Sequence, residues 1–128
     1  MAEFSNFFEN KIIDHMLRAV AFTPPATIYL ALYTVAPTDA GGGTEVSGGA
    51  YARQSFTLTV ASGGASSNSA DITFPTATAA WGTVVACAIW DNAATPNMLM
   101  WSNLDASKTV TTGDTFKINA GDLDITVD

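Results

Sequence analysis

Ile28-Tyr29-Leu30-Ala31-Leu32-Tyr33-Thr34 and Val84-Val85-Ala86-Cys87-Ala88-Ile89-Trp90 are the two stretches whose reading decides the fold. The first alternates Ile/Leu with Tyr/Ala, which gives a strand two usable faces. The second is almost wholly apolar, the pattern of a central strand buried on both faces. Around them the chain reads as strands and turns. Residues 51–60 form a strand with Phe56, Leu58 and Val60 facing in and Ser55, Thr57 and Thr59 facing out. Asp71-Ile72-Thr73-Phe74 is a short strand closed by Pro75, and Met98-Leu99-Met100-Trp101 returns the chain after a polar turn at 91–97. Lys108-Thr109-Val110 precedes the turn signal Gly113-Asp114, and Thr115–Ile118 and Asp122–Val127 alternate as the last two strands. Strands about every ten residues, joined by Gly-rich turns such as Gly41-Gly42-Gly43 and Gly63-Gly64, indicate a sandwich or barrel.

Only the N-terminal segment has helical period. Phe4, Phe8, Ile12, Ile13, Met16, Leu17 and Val20 recur at three- and four-residue intervals and Phe7 widens the stripe. Ser5 or Asn6 can cap the start, with Glu9 at capping-box spacing from Asn6. Glu9 and Arg18 sit at the ends where each complements the helix dipole. Thr23-Pro24-Pro25 stops the helix, because a residue before proline is pushed out of the α region. The expected organisation is one domain over residues 1–128: a helix at 5–21 and a β-sandwich over 26–128. The fold class is mainly β, a single sandwich or barrel-like domain with one N-terminal amphipathic α-helix. The stripe must be covered, at about 1.5–3 kcal/mol per fully buried side chain. Its first expected role is to plug one open face or end of the chain's own sandwich, with Phe4 and Phe7 at the frayed start left for a neighbour; the alternative is packing with copies of itself around a symmetry axis.

Composition bounds function. The 128 residues are 48% hydrophobic and only 13% charged, and the polar remainder is rich in Thr, Ser, Asn and Gly. Net charge is −7; residues 1–64 hold five acids and three bases, and residues 65–128 seven acids and two bases. Such a chain is no nucleic-acid binder, which needs Lys and Arg against phosphates, and anionic membranes are disfavoured for the same reason. No apolar stretch approaches the ~20 residues of a membrane helix. The acidic start lacks the basic region of a secretory signal, so the product is expected to be soluble and made in the cytoplasm.

Catalytic apparatus is not visible. Cys87 is the only cysteine and lies in an apolar run, where a thiol acts as a small hydrophobe. His15, the only histidine, has no second His or Cys with which to build a zinc site and no Gly-x-Ser-x-Gly partner. Glu9 is helical and Glu45 lies in a Gly-rich loop, so neither is expected to be buried, and a glycosidase pair is missing. Asp122, Asp124 and Asp128 are weak calcium candidates, since 122 and 124 are solvent-face strand positions rather than loop ligands. No cofactor and no metal are expected.

Candidate interface residues remain. Trp81 follows the small-residue stretch Thr76–Ala80, which is not expected to bury it locally, and tryptophan is enriched at interfaces. Arg53, placed with Tyr51 and Gln54 at a strand start, can pair bidentately with a carboxylate. An intrachain pair is the first expectation and a neighbour's carboxylate the second. Together with Phe4, Phe7 and Tyr51 these residues make up the candidate contact set.

As a set, the landmarks run almost end to end: Thr23-Pro24-Pro25-Ala26, the strand at 28–34, Glu45-Val46-Ser47-Gly48-Gly49-Ala50-Tyr51-Ala52-Arg53-Gln54, and Phe74-Pro75. Trp81-Gly82-Thr83-Val84 and Ala88-Ile89-Trp90-Asp91 follow, then Leu104, Ser107-Lys108-Thr109-Val110, Gly113-Asp114 and Ala120-Gly121-Asp122-Leu123. So arranged, the chain resembles a family of small tailed-bacteriophage virion proteins, often labelled tail-fibre or structural proteins. Residues 91–97 depart from the pattern, with Asn-Ala-Ala-Thr-Pro-Asn where members often carry a Gly-rich turn. The resemblance implies a non-enzymatic structural protein of the virion, whose partners are other virion proteins, either the major capsid protein or tail proteins. Self-association is also expected. A compact domain of this length has a radius of gyration of roughly 14 Å, too small to form a long fibre alone. Size and low charge therefore favour a capsid decoration (cement) protein on the outer shell, with a tail-fibre or tail-tip subunit contacting the host as the alternative. An enzyme acting on surface polysaccharide is the third reading, motivated by the virion setting alone.

Overall fold

The computed structural model describes residues 3–94 and 96–127. Thr95, in the turn at 91–97, and Asp128, the last of the three aspartates weighed as calcium ligands, lie outside them. In chain order the elements are β1 (Glu3–Phe4), α1 (Asn6–Arg18), β2 (Ile28–Val35), β3 (Thr44–Glu45), β4 (Gln54–Phe56) and β5 (Ala65–Ser67). Then come β6 (Ile72–Thr73), β7 (Gly82–Trp90), β8 (Met98–Val110), β9 (Lys117–Ile118) and β10 (Asp124–Thr126). The fold is mainly β with one N-terminal helix. A six-stranded antiparallel sheet runs β1-β8-β7-β2-β3, with β4 also on β2. Two small sheets, β10-β5 and β6-β9, complete the strands, and no barrel closes.

Ile28–Val35 and Gly82–Trp90 pair with each other at the centre of this sheet. Leu30 stands opposite Ile89 and Leu32 opposite Cys87, while Ala31 faces Ala88 and Tyr33 faces Ala86. Because side chains alternate along a strand, this register sorts them onto two faces. Leu30, Leu32, Cys87 and Ile89 join the main core with Phe74, Ile72, Trp81 and Val84. Ala31, Tyr33, Ala86, Ala88 and Met98 build a smaller cluster on the other face, with Trp90 and Trp101 packed against it. Each face of the sheet therefore has its own apolar cover, which explains the unbroken apolar run in β7.

β8 is longer than expected, since Met98–Trp101 and Lys108–Val110 belong to one strand. Between them Asn103 pairs with Ala86 and Lys108 with Val84, so Leu104, Asp105, Ala106 and Ser107 stand opposite Val85 alone. That bulge bends the strand and pushes Leu104 towards the small sheets. The strand expected at 51–60 is shorter, ending at Phe56, and Val60 is 94% exposed rather than facing in.

The helix is three residues shorter at its C-terminal end than the expected 5–21, and its cause is local. Ser5 caps the start: its hydroxyl accepts from the Phe8 N–H at 3.2 Å and donates to the Met98 carbonyl. Ala19 then turns left-handed (φ 58°), and the Val20 N–H reaches back to the Asp14 carbonyl at 3.0 Å. This is a helix stop made by alanine where glycine is the usual residue, so the prolines at 24–25 are not what ends it.

Candidate interaction surface

The block at 45–54 folds into a polar knot on the edge of the main sheet. Glu45 pairs opposite Tyr33 on β3, and Arg53 directly precedes β4. Arg53 grips Glu45 through Nε to Oε2 at 2.9 Å and Nη2 to Oε1 at 2.8 Å, the two-pronged geometry that suits a planar guanidinium. Its Nη1 donates to the Asn92 carbonyl at 3.1 Å, and its guanidinium lies 4.0 Å from the Trp90 ring centroid. Tyr51 donates its hydroxyl to Glu45 Oε2 at 2.7 Å and accepts from the Leu32 N–H at 3.0 Å. Side-chain exposure is 7% for Arg53 and 25% for Glu45. Burial opposes the Arg53 charge, but the hydrogen bonds to Glu45 and its negative charge outweigh it and raise the guanidinium pKa. Burial, then the hydrogen bond to Glu45, pushes the Tyr51 phenol far above its ordinary range.

Arg53 and Tyr51 are thus committed to this chain's own Glu45, and Glu45 is half-buried on a strand rather than free in a loop. Trp81 is likewise spent internally, contrary to expectation: it is 6% exposed, in edge contact with Tyr51 (5.5 Å) and Phe74 (6.4 Å). Its Nε1–H donates to the Gly49 carbonyl at 2.9 Å. Gly49 (φ 57°) is the reason there is room. A Cβ there would stand 2.8 Å from the Ala79 carbonyl oxygen and from Trp81 Nε1. The loop at 48–51 supplies the cover, through the Gly49 carbonyl and the Tyr51 ring.

On the opposite face of the sheet, Trp90 Nε1–H donates to the Tyr33 hydroxyl (3.1 Å), and Trp101 Nε1–H to Asp39 Oδ1 (2.9 Å). Asp39 also accepts the Asn6 N–H on its carbonyl at 2.8 Å, so one loop residue ties the glycine-rich segment to both the helix start and Trp101. Both tryptophans remain half-exposed, with polar Asn92 and Asn97 in the neighbouring turn.

The helix divides in two, and the division reverses the expected roles. Phe4, Phe7 and Phe8 are half-buried against the main core, with Phe4 and Phe8 rings 5.2 Å apart. Ile13, Met16, Leu17 and Val20 are 50%, 70%, 79% and 43% exposed, and no helix residue is fully buried. The rings at the start are held because β1 pairs with Met100 and Trp101 and draws the first turn onto β8. Past Ile12 the helix has left the sheet.

A cleft of about 370 Å³ opens between β8 and the segment running from Phe116 to Ile125. Leu104, Ile118 and Leu123 are its half-buried apolar walls, and exposed Asp105, Asp122 and Asp124 stand on its rim. Asn68 holds that segment in place. Its side chain, 1% exposed, donates to the Ala70 and Asn119 carbonyls (2.8 and 2.9 Å) and accepts from the Leu123 N–H (2.9 Å). Neither the cleft nor the role of Asn68 is apparent in the sequence.

Among the described residues, no three His, Cys, Asp or Glu side chains cluster as metal ligands do. His15 is exposed, with Nδ1 3.1 Å from the Val20 carbonyl oxygen. Burial pushes the Cys87 thiol up to about 11, so it stays protonated at neutral pH. No helix is long and apolar enough to cross a membrane among the described residues.

Residues 3–126 match the family model described as Podophage GP4 fiber I protein gp80. The chain belongs to that fibre family. It is therefore a non-enzymatic structural component of a phage virion, as the resemblance implied. The family is described as a fibre protein, which agrees with the second placement read from the sequence and not with a shell-decorating protein. No curated protein matched the chain. Size and low charge misled here, because they describe one subunit and carry no information on how many are joined.

Proposed function

We propose that this chain is a subunit of a phage tail fibre, built to be held in an assembly with other tail proteins and to present one face to the host. The observation that carries the reading is the fibre-family match over nearly the whole chain. The surface that fits a host contact is the face bearing Trp90 and Trp101. Each indole is fixed by a hydrogen bond, to Tyr33 and to Asp39, and each residue is half-exposed, Trp90 with the Arg53 guanidinium over its ring. Rings fixed in advance lose little entropy on binding, and indoles are frequent anchors of interfaces.

Purified protein added to host cells before phage should then lower adsorption, and Trp101→Ala protein should compete less well at the same concentration. Normal adsorption by particles lacking the protein would dispose of the host-contact role.

A further inference from the structure

We propose that the cleft between β8 and the 116–125 segment is a docking slot for an extended, basic segment of another protein, in which apolar and cationic side chains alternate. Its volume of about 370 Å³ lies at the small end of the roughly 300–1,000 Å³ of ligand pockets. That is room for a few side chains and not for a folded surface. Leu104, Ile118 and Leu123 wall the cleft, and the buried Cys87 and Met100 line it. The strands that border it are both edge strands. Among the described residues, β1 covers β8 only at Met100 and Trp101, and β10 has β5 on one side alone. Edge strands present backbone groups with which a further extended chain can pair.

Charge selects the occupant. Asp105, Asp122 and Asp124 stand exposed on the rim, and among the described residues none of them is in an ion pair. Of the two lysines that line the cleft, Lys117 is already tied to Asp71 at 3.2 Å, which leaves Lys108 against three carboxylates. Successive side chains of an extended chain point to opposite sides. A segment whose apolar residues enter the slot therefore turns the intervening ones to the rim, where Lys or Arg meets the aspartates. The net charge of −7 adds a long-range attraction for such a partner. The partner's identity as a neighbouring tail protein rests on the reading of this chain as a subunit of a tail assembly; the cleft's preference for a basic strand does not.

The test is calorimetric titration of the purified chain with a capped peptide, Lys-Val-Lys-Val-Lys-Val-Lys, with thermal melts to confirm that each variant folds. A comparison peptide has the same composition in blocks, Lys-Lys-Lys-Lys-Val-Val-Val. The alternating peptide should bind at least ~tenfold more tightly than the block peptide. Asp122→Asn with Asp124→Asn should weaken its binding about fivefold, the weight of two exposed ion pairs. Glu9→Gln with Asp14→Asn removes the same charge from the helix, outside the cleft, and should change binding less than about twofold. The titration reports on the cleft alone, whereas placement on the particle is read from labelled phage, so either can fail without the other. Absence of binding by the native chain, equal affinity for the two peptides, or equal losses from the rim and helix substitutions overturns the proposal.

Discussion

Arg53 and Glu45 form a two-pronged ion pair whose guanidinium also lies over Trp90, so one residue joins β3, the start of β4 and the end of β7. Arg53→Met keeps the stem but leaves Glu45 half-buried without its partner. Breaking such a pair should cost about 3 kcal/mol, the lower end of the range for buried pairs because Glu45 keeps some solvent. Arg53→Lys, which retains charge but not the fork, should fall between native and Met. Urea unfolding of the three proteins measures this, and equal midpoints would show that the pair contributes nothing.

Asn68 is the second polar residue on which the fold depends. In Asn68→Asp the two donor hydrogens are replaced by an oxygen facing the Ala70 and Asn119 carbonyls. Unsatisfied carbonyls and a buried charge together should remove about 2–4 kcal/mol. The loss should appear as a lower melting temperature with an unchanged circular dichroism spectrum below the transition.

How far the sequence revealed this structure follows from the range of each signal. The central pair of strands was legible because alternation in β2 and its absence in β7 are local patterns with one structural meaning. The first turn of the helix and its cap were legible for the same reason. The bulge at Leu104–Ser107 was not, since nothing in those residues states that they will stand opposite Val85 alone. Trp81 was misjudged because its cover comes from Gly49, thirty-two residues earlier. Arg53 is legible as a carboxylate binder, but the half-burial of Glu45 is not, because a two-residue strand leaves little trace in sequence. The helix stripe was overread: periodicity shows which face is apolar, not how much of it the chain itself covers.

That last point yields a stability test. Leu17 is 79% exposed, so Leu17→Asp should change the isolated chain's stability by no more than ~0.5 kcal/mol, although the helical stripe places Leu17 on the face expected to cover the sheet. Phe8→Asp, placed against the main core, should cost several kcal/mol by stranding a charge among apolar groups. Thermal melts of the two variants at low protein concentration separate these outcomes. A strong loss from Leu17→Asp would mean that the free half of the helix is covered after all.

Acid stability should depend on two exposed aspartates. Asp114 accepts the Thr111 N–H and hydroxyl, and Asp71 accepts the Ala120 N–H and pairs with Lys117; these contacts lower both pKa values from the ordinary 3.8. A carboxyl that is more acidic when folded stabilises the fold above its unfolded pKa, and that contribution is lost as pH falls through the folded value. The melting temperature should therefore decline as pH drops below about 4. The double variant Asp71→Asn with Asp114→Asn should start lower and decline less steeply. Parallel curves for the two proteins would rule these groups out as the source.

The central claim, that this is a subunit of the tail fibre, is tested most directly by electron microscopy of phage particles carrying an antibody-gold label against the protein. Label confined to the tail, and fibre density lost when the protein is deleted while the head surface is unchanged, is the expected result. Label spread over the capsid, with the tail intact after deletion, would contradict it.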